Sequence, residues 1–176
     1  VAGGVAEFVA QEEMNRYTGY WWAPDDSALA YTCYDECGVP IHRRFELYAD
    51  RTEVIEQRYP AAGEANVRIA LEVATLVDVK VAATEAKSAR PAQVVPLGDD
   101  PDIFLVRVNW LPDGKRLAFQ RMARNQRRLD LVLHVVARQA LVGVHQDRVC
   151  RRMVLRVRIH RQDVVLRRPA QRLRLC

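Results

Sequence analysis

The chain has 176 residues, 49% of them hydrophobic, and carries a formal net charge of +5. That length suits one domain or a piece of a larger one, and no run approaches the ~18 uninterrupted apolar residues of a membrane-spanning helix. Ser27 and Ser88 are its only serines and neither lies in Gly-x-Ser-x-Gly, so these residues contain no nucleophile elbow of an α/β-hydrolase.

In chain order, the opening Val-Ala-Gly-Gly has no basic or apolar leader pattern, so it reads as an excised piece or one whose true start is missing. Residues 8–22 follow, where Glu12 and Glu13 stand side by side in an apolar and aromatic setting that ends in Trp21-Trp22. Two like charges a few ångströms apart repel unless an opposite charge within ~4–6 Å relieves them. That cation is either a nearby arginine or a ligand's amine. The competing reading is a solvated acidic pair at a helix start, where the helix dipole favours carboxylates.

Residues 20–32 read as strand, turn, strand, with Pro24-Asp25-Asp26 at the corner. Cys33 and Cys37 come next, and His42 could add a third ligand, but the paired short spacings of a four-ligand zinc site are missing. No metal and no cofactor is expected. Residues 44–48 suit a short strand, residues 59–66 a loop, and residues 67–73 alternate as a half-buried strand. Residues 74–92 lack an apolar stripe and read as an exposed connection. Residues 94–97 and 103–106 are strand candidates flanking the turn-forming Gly98-Asp99-Asp100-Pro101-Asp102.

The first hairpin then returns. Trp22, Pro24-Asp25 and Leu29-Ala30-Tyr31 match Trp110, Pro112-Asp113 and Leu117-Ala118-Phe119, a repeat offset by 88 residues. A recurring hairpin with the same turn chemistry points to radial β architecture, built from a repeated sheet unit. The offset exceeds the ~40–50 residues of a usual blade, so further units or a long insertion must lie between the copies. Residues 129–133 continue as strand.

After residue 133 the texture changes, and turn residues are already scarce from residue 121 onward. Gly143 and Pro169 are the only residues of their kinds there, although alternation persists through residues 154–161. Losing turn residues partway argues against a well-specified fold in that region. Charge splits as well: residues 1–100 hold nine basic against seventeen acidic residues, and residues 101–176 hold eighteen against five. An alternative function follows, a small basic protein binding nucleic acid through residues 148–175. Pure charge is its whole support, since no aromatic follows Phe119 to stack a base. Nucleic acid is therefore the disfavoured partner.

These residues resemble a known family. Glu12-Glu13 with Tyr17, Gly19-Tyr20-Trp21-Trp22-Ala23-Pro24-Asp25 and Ala30-Tyr31 resemble the dipeptidyl peptidase IV branch of the prolyl oligopeptidase superfamily. So do the loop Tyr59-Pro60-Ala61-Ala62-Gly63-Glu64-Ala65-Asn66 and the run Phe119-Gln120-Arg121 with Asn125-Gln126. The likeness runs from about residue 4 to about residue 133. It implies an all-β fold: residues 1–133 as part of an N-terminal eight-bladed β-propeller, with a short helical insertion carrying Glu12-Glu13. Residues 134–176 stand apart as a basic stretch of unassigned fold, with the glycine-poor composition that a frameshift in a GC-rich gene would yield.

The resemblance also implies that Glu12 and Glu13 bind the free amino terminus of a peptide, with Met14, Tyr17 and Trp21 as supporting packing. Proteolysis, the removal of N-terminal dipeptides with proline or alanine second, would fall to an α/β-hydrolase partner domain whose serine, aspartate and histidine lie beyond this chain. The chain alone is then expected to be inactive. Open sheet edges would favour self-association, a homodimer included. The family's usual bacterial setting is the periplasm or the cell surface.

Overall fold

Two hairpins built on the same turn dominate the chain. The computed structural model describes residues 2–75 and 92–136, with the backbone of residues 153–158. Aromatic and β-branched residues favour strands on both sides of each turn. The first hairpin joins β2 (Tyr20–Trp22) to β3 (Ala28–Asp35), and the second joins β8 (Ile103–Trp110) to β9 (Arg116–Ala123). In each turn an aspartate side chain accepts a backbone N–H two residues on: Asp25 from Ser27 at 3.3 Å and Asp113 from Lys115 at 2.9 Å. The residue after it is left-handed, Asp26 at φ 53° and Gly114 at φ 60°.

A third copy of this turn leads into β10 (Arg128–Val135), with Asn125 accepting from Arg127 at 3.1 Å and Gln126 at φ 57°. The loss of turn chemistry expected after residue 121 therefore does not apply here. Asparagine does the work of aspartate, and glutamine takes the left-handed position usually given to glycine.

The strands form antiparallel sheets. In the first, β1 (Ala2–Gly3) and β2 both pair with the same edge of β3, which continues to β6 (Arg68–Thr75) and β7 (Gln93–Val95). The second runs β8-β9-β10-β11, with β11 (Met153–Arg158) closing it against β10. The alternation through residues 154–158 thus belongs to a paired strand, while residues 159–161 and the rest of the arginine-rich stretch lie outside the described residues. So does most of the connection expected at residues 74–92. Between the two Trp-x-Pro-Asp hairpins stands an insertion, the separate hairpin of β4 (Ile41–Leu47) and β5 (Thr52–Arg58). The strand at residues 44–48 is therefore longer than expected, and its partner β5 has no counterpart in the sequence reading.

The sheets share one core. Ala28 and Ala30 of β3, Leu71 and Val73 of β6, Leu105 and Val108 of β8, Leu117 and Phe119 of β9, and Val132 of β10 are buried together. Trp110 Nε1 donates to the carbonyl of Trp21 at 2.9 Å and stitches one sheet to the other. On the second sheet the buried face runs through the cross-strand pairs Leu117–His134, Phe119–Val132 and Arg121–Asp130. Leu129, Leu131 and Leu133 are only half-buried on the opposite face. Asp130 can take an interior position because Arg121 meets it at 2.9 Å, a paired buried charge.

Candidate functional site

The helix that carries the paired glutamates grows out of a broken strand. β1 and β2 lie end to end along β3, and residues 4–19 leave the sheet between them. The two legs are pinned where they depart. Gly4 N–H donates to Thr32 O at 2.9 Å, Thr32 N–H to Gly19 O at 2.7 Å, and Gly19 N–H to Gly4 O at 3.2 Å. Gly19 has no room for a side chain, since a Cβ there would lie 2.3 Å from the Val5 carbonyl oxygen and 2.4 Å from Thr32 Oγ1.

Within this excursion α1 (Phe8–Met14) forms. Its buried face of Val9, Ala10 and Met14 packs, with Ala6 just ahead of the helix, against Phe104. The bulge between Leu105 and Arg107 lets β8 face two ways, Phe104 and Val106 to the helix, Leu105 and Val108 to the inter-sheet core. That is why four apolar residues run consecutively there. The helix ends at Asn15, left-handed at φ 48°, as C-caps commonly do.

Glu12 and Glu13 are both exposed and occupy the second half of this seven-residue helix. They are not at a helix start, as a solvated N-terminal pair would be. At this end the helix dipole opposes carboxylates, by roughly 0.3–1 kcal/mol each in an exposed setting, and no basic residue occupies the last turn. Adjacent helical residues point about 100° apart, so both can converge on one small cation.

The arginine nearest in sequence is already engaged. Arg16 Nη2 donates to Glu7 Oε2 at 2.7 Å, and the two side chains are 5% and 2% exposed. Among the described residues, no hydrogen bond or ion pair engages either Glu12 or Glu13.

The two glutamates line a cleft of about 210 Å³ with Phe8 and Val9 of the same helix. Tyr59, Pro60 and Ala62 close a second side, and Phe104, Arg124 and Gln126 a third. Arg124 is held as a brace. Its Nη2 donates to Pro60 O at 2.6 Å and Ala61 O at 3.0 Å, and its Nη1 lies 3.9 Å from Asp102 Oδ1. Tyr59 meets Phe8 edge to face at 5.8 Å between centroids. The Tyr-Pro loop and the Asn125-Gln126 turn, far apart in sequence, thus reach the end of the sheets where α1 stands.

Of the packing residues expected around the pair, Met14 is buried and Trp21 packs on the core, but Tyr17 is 65% exposed. Tyr17 lies past the helix end, where its carbonyl accepts from Ala6 N–H and its ring is left to solvent. Cys33 and Cys37 are free, and among the described residues no cluster of His, Cys, Asp and Glu could hold a metal ion.

Comparison with known proteins bears on these features. Residues 1–151 match the family model described as the dipeptidyl peptidase IV N-terminal region, which extends past residue 133. Dipeptidyl peptidase 8 of Homo sapiens is 26% identical over 159 residues, covering 83% of this chain and 17% of that protein. Dipeptidyl peptidase 4 of Sus scrofa is 28% identical over 136 residues, covering 72% of this chain and 17% of that protein. The crystal structure of Porphyromonas gingivalis dipeptidyl peptidase 4 superposes with a TM-score of 0.61 at 25% identity, over 76% of this chain and 18% of the other. The chain thus spans under a fifth of the length of these relatives.

Proposed function

The chain belongs to the family of dipeptidyl peptidase IV N-terminal regions, its sheets part of a β-propeller, and on that premise we propose that Glu12 and Glu13 anchor the free amino terminus of a peptide. One observation carries the reading: two exposed carboxylates that no cation among the described residues pairs with, at the helix end that disfavours them, on the rim of a cleft. A peptide ammonium supplies the missing charge and can donate to both. Anchored there, the chain end sets how far into the peptide cleavage falls. Cleavage itself would be done by a partner α/β-hydrolase domain that removes N-terminal dipeptides, in the periplasm or at the cell surface.

Calorimetric titration of the chain with alanyl-proline and with its N-acetyl derivative tests the anchor. The free amine should bind and the acetylated one should not. Hydrogen bonds to charged groups contribute about 1.5–3 kcal/mol each, so Glu12→Gln or Glu13→Gln should each weaken binding by about tenfold or more. Equal affinity for the two peptides would remove the proposal.

A further inference from the structure

We propose that the buried Glu7–Arg16 pair is a positioning clasp, which holds α1 in the single setting that presents Glu12 and Glu13 together without itself touching the ligand. The inference rests on the amine-anchoring reading. A seven-residue helix is too short to persist by itself, since isolated helices are marginal in water below ~12–15 residues. Nor does a side chain cap its start. The N-cap residue is Glu7, and its carboxylate turns to Arg16 instead of to the first-turn amides. Arg16 comes just after the left-handed Asn15, and its own N–H donates to Ala10 O at 3.0 Å. One ion pair therefore joins the residue before the helix to a residue just beyond its end. The same guanidinium reaches the descending leg, where Nη1 donates to Thr18 O at 3.2 Å.

The packing under the helix does not do this alone. The helix itself buries only Val9, Ala10 and Met14, a small face against Phe104 along which a short helix can shift or turn. Buried ion pairs are weak sources of net stability but well suited to selecting one arrangement, because a shifted helix strands two charges. Glu7 Oε1 and Arg16 Nε are buried without partners, so the clasp is incompletely satisfied and Glu7 is tied to Arg16 by the single 2.7 Å contact. Arg16 is thereby a positioning residue for the glutamates on the opposite flank.

Amide hydrogen exchange and alanyl-proline titration on the full 176-residue chain test the clasp, using Arg16→Met, Arg16→Lys and the double variant Glu7→Gln with Arg16→Met. The reporters are the Gln11 amide, bonded to Glu7 O at 3.2 Å, and the Arg16 amide. Arg16→Met should speed their exchange by about tenfold or more while amides of β3 and β9 keep wild-type rates. It should weaken the dipeptide as much as Glu12→Gln does, and Arg16→Lys should recover part of both. The double variant leaves no stranded charge, so it should melt near wild type yet stay weak for the dipeptide. Unchanged exchange in Arg16→Met overturns the clasp, and so does full affinity in the double variant. A wild-type chain that ignores the free amine would fail the anchoring reading instead, while the exchange rates still decide the clasp.

Discussion

Glu12 and Glu13 acquire meaning from what their neighbours are already doing. Arg16 is spent on Glu7, Arg124 on the carbonyls of Pro60 and Ala61, and the helix dipole points the wrong way for acids. Gly19 matters for a simpler reason. It lets the two legs of the excursion lie close side by side at Thr32, and a methyl group there meets backbone oxygen, which cannot swing aside. Gly19→Ala should therefore destabilise by about 1–3 kcal/mol, the usual cost of forcing atoms into a filled site. A urea midpoint equal to wild type would show that the contact has slack. Glycine was visible in the sequence as part of Gly19-Tyr20-Trp21-Trp22, but its reason was not, since Val5 and Thr32 reach it only through the sheet.

Strand pairing settles charge as well as shape. Tyr31 on β3 stands opposite Glu72 on β6 and donates to its carboxylate at 2.7 Å. Burial and then that bond push the phenol well above its ordinary range. The folded form thus holds the proton more tightly than the unfolded chain does. Its contribution is intact below the unfolded value of about 10 and is lost as pH rises above it. From this pair, denaturation midpoints should stay level up to about pH 10 and fall as pH rises further, more for the wild type than for Tyr31→Phe. Cys33, raised by burial and by Glu72, and Tyr34, Cys37 and Tyr48, raised as well, should account for what slope remains. Parallel slopes for the two proteins would exclude the pair as the cause. Alternation had marked β6 as a half-buried strand and aromatics had marked β3 as a strand, but no spacing reveals that a tyrosine and a glutamate 41 residues apart will face each other.

The two sheets stand or fall together. Phe119 is fully buried where they meet, beside alanines of the first sheet and Leu71 of the same cluster. Phe119→Ala should cost about 3–5 kcal/mol, as large cavities do. Because the core is common and Trp110 binds the Trp21 carbonyl, tryptophan fluorescence and far-ultraviolet circular dichroism should lose signal in one transition. Two separated transitions would mean that the sheets fold independently. This unit also places the cleft: α1 rests on Phe104 of the second sheet although it springs from the edge of the first.

By itself the sequence determined the recurring turn, the strands around it and the glutamate pair, because each rests on local chemistry. Proline, aspartate and a left-handed residue make the same corner wherever they occur, and two adjacent acids repel in any fold. The tertiary structure decided which cations were free to answer those acids, which sides of β8 and β10 were buried, and that the Asn125-Gln126 turn continues the series. Those outcomes depend on which partners the fold brings within reach. The clasp shows the difference most sharply. Glu7 and Arg16 are unremarkable letters nine positions apart, and only the folding of a short helix between them brings one against the other, away from water.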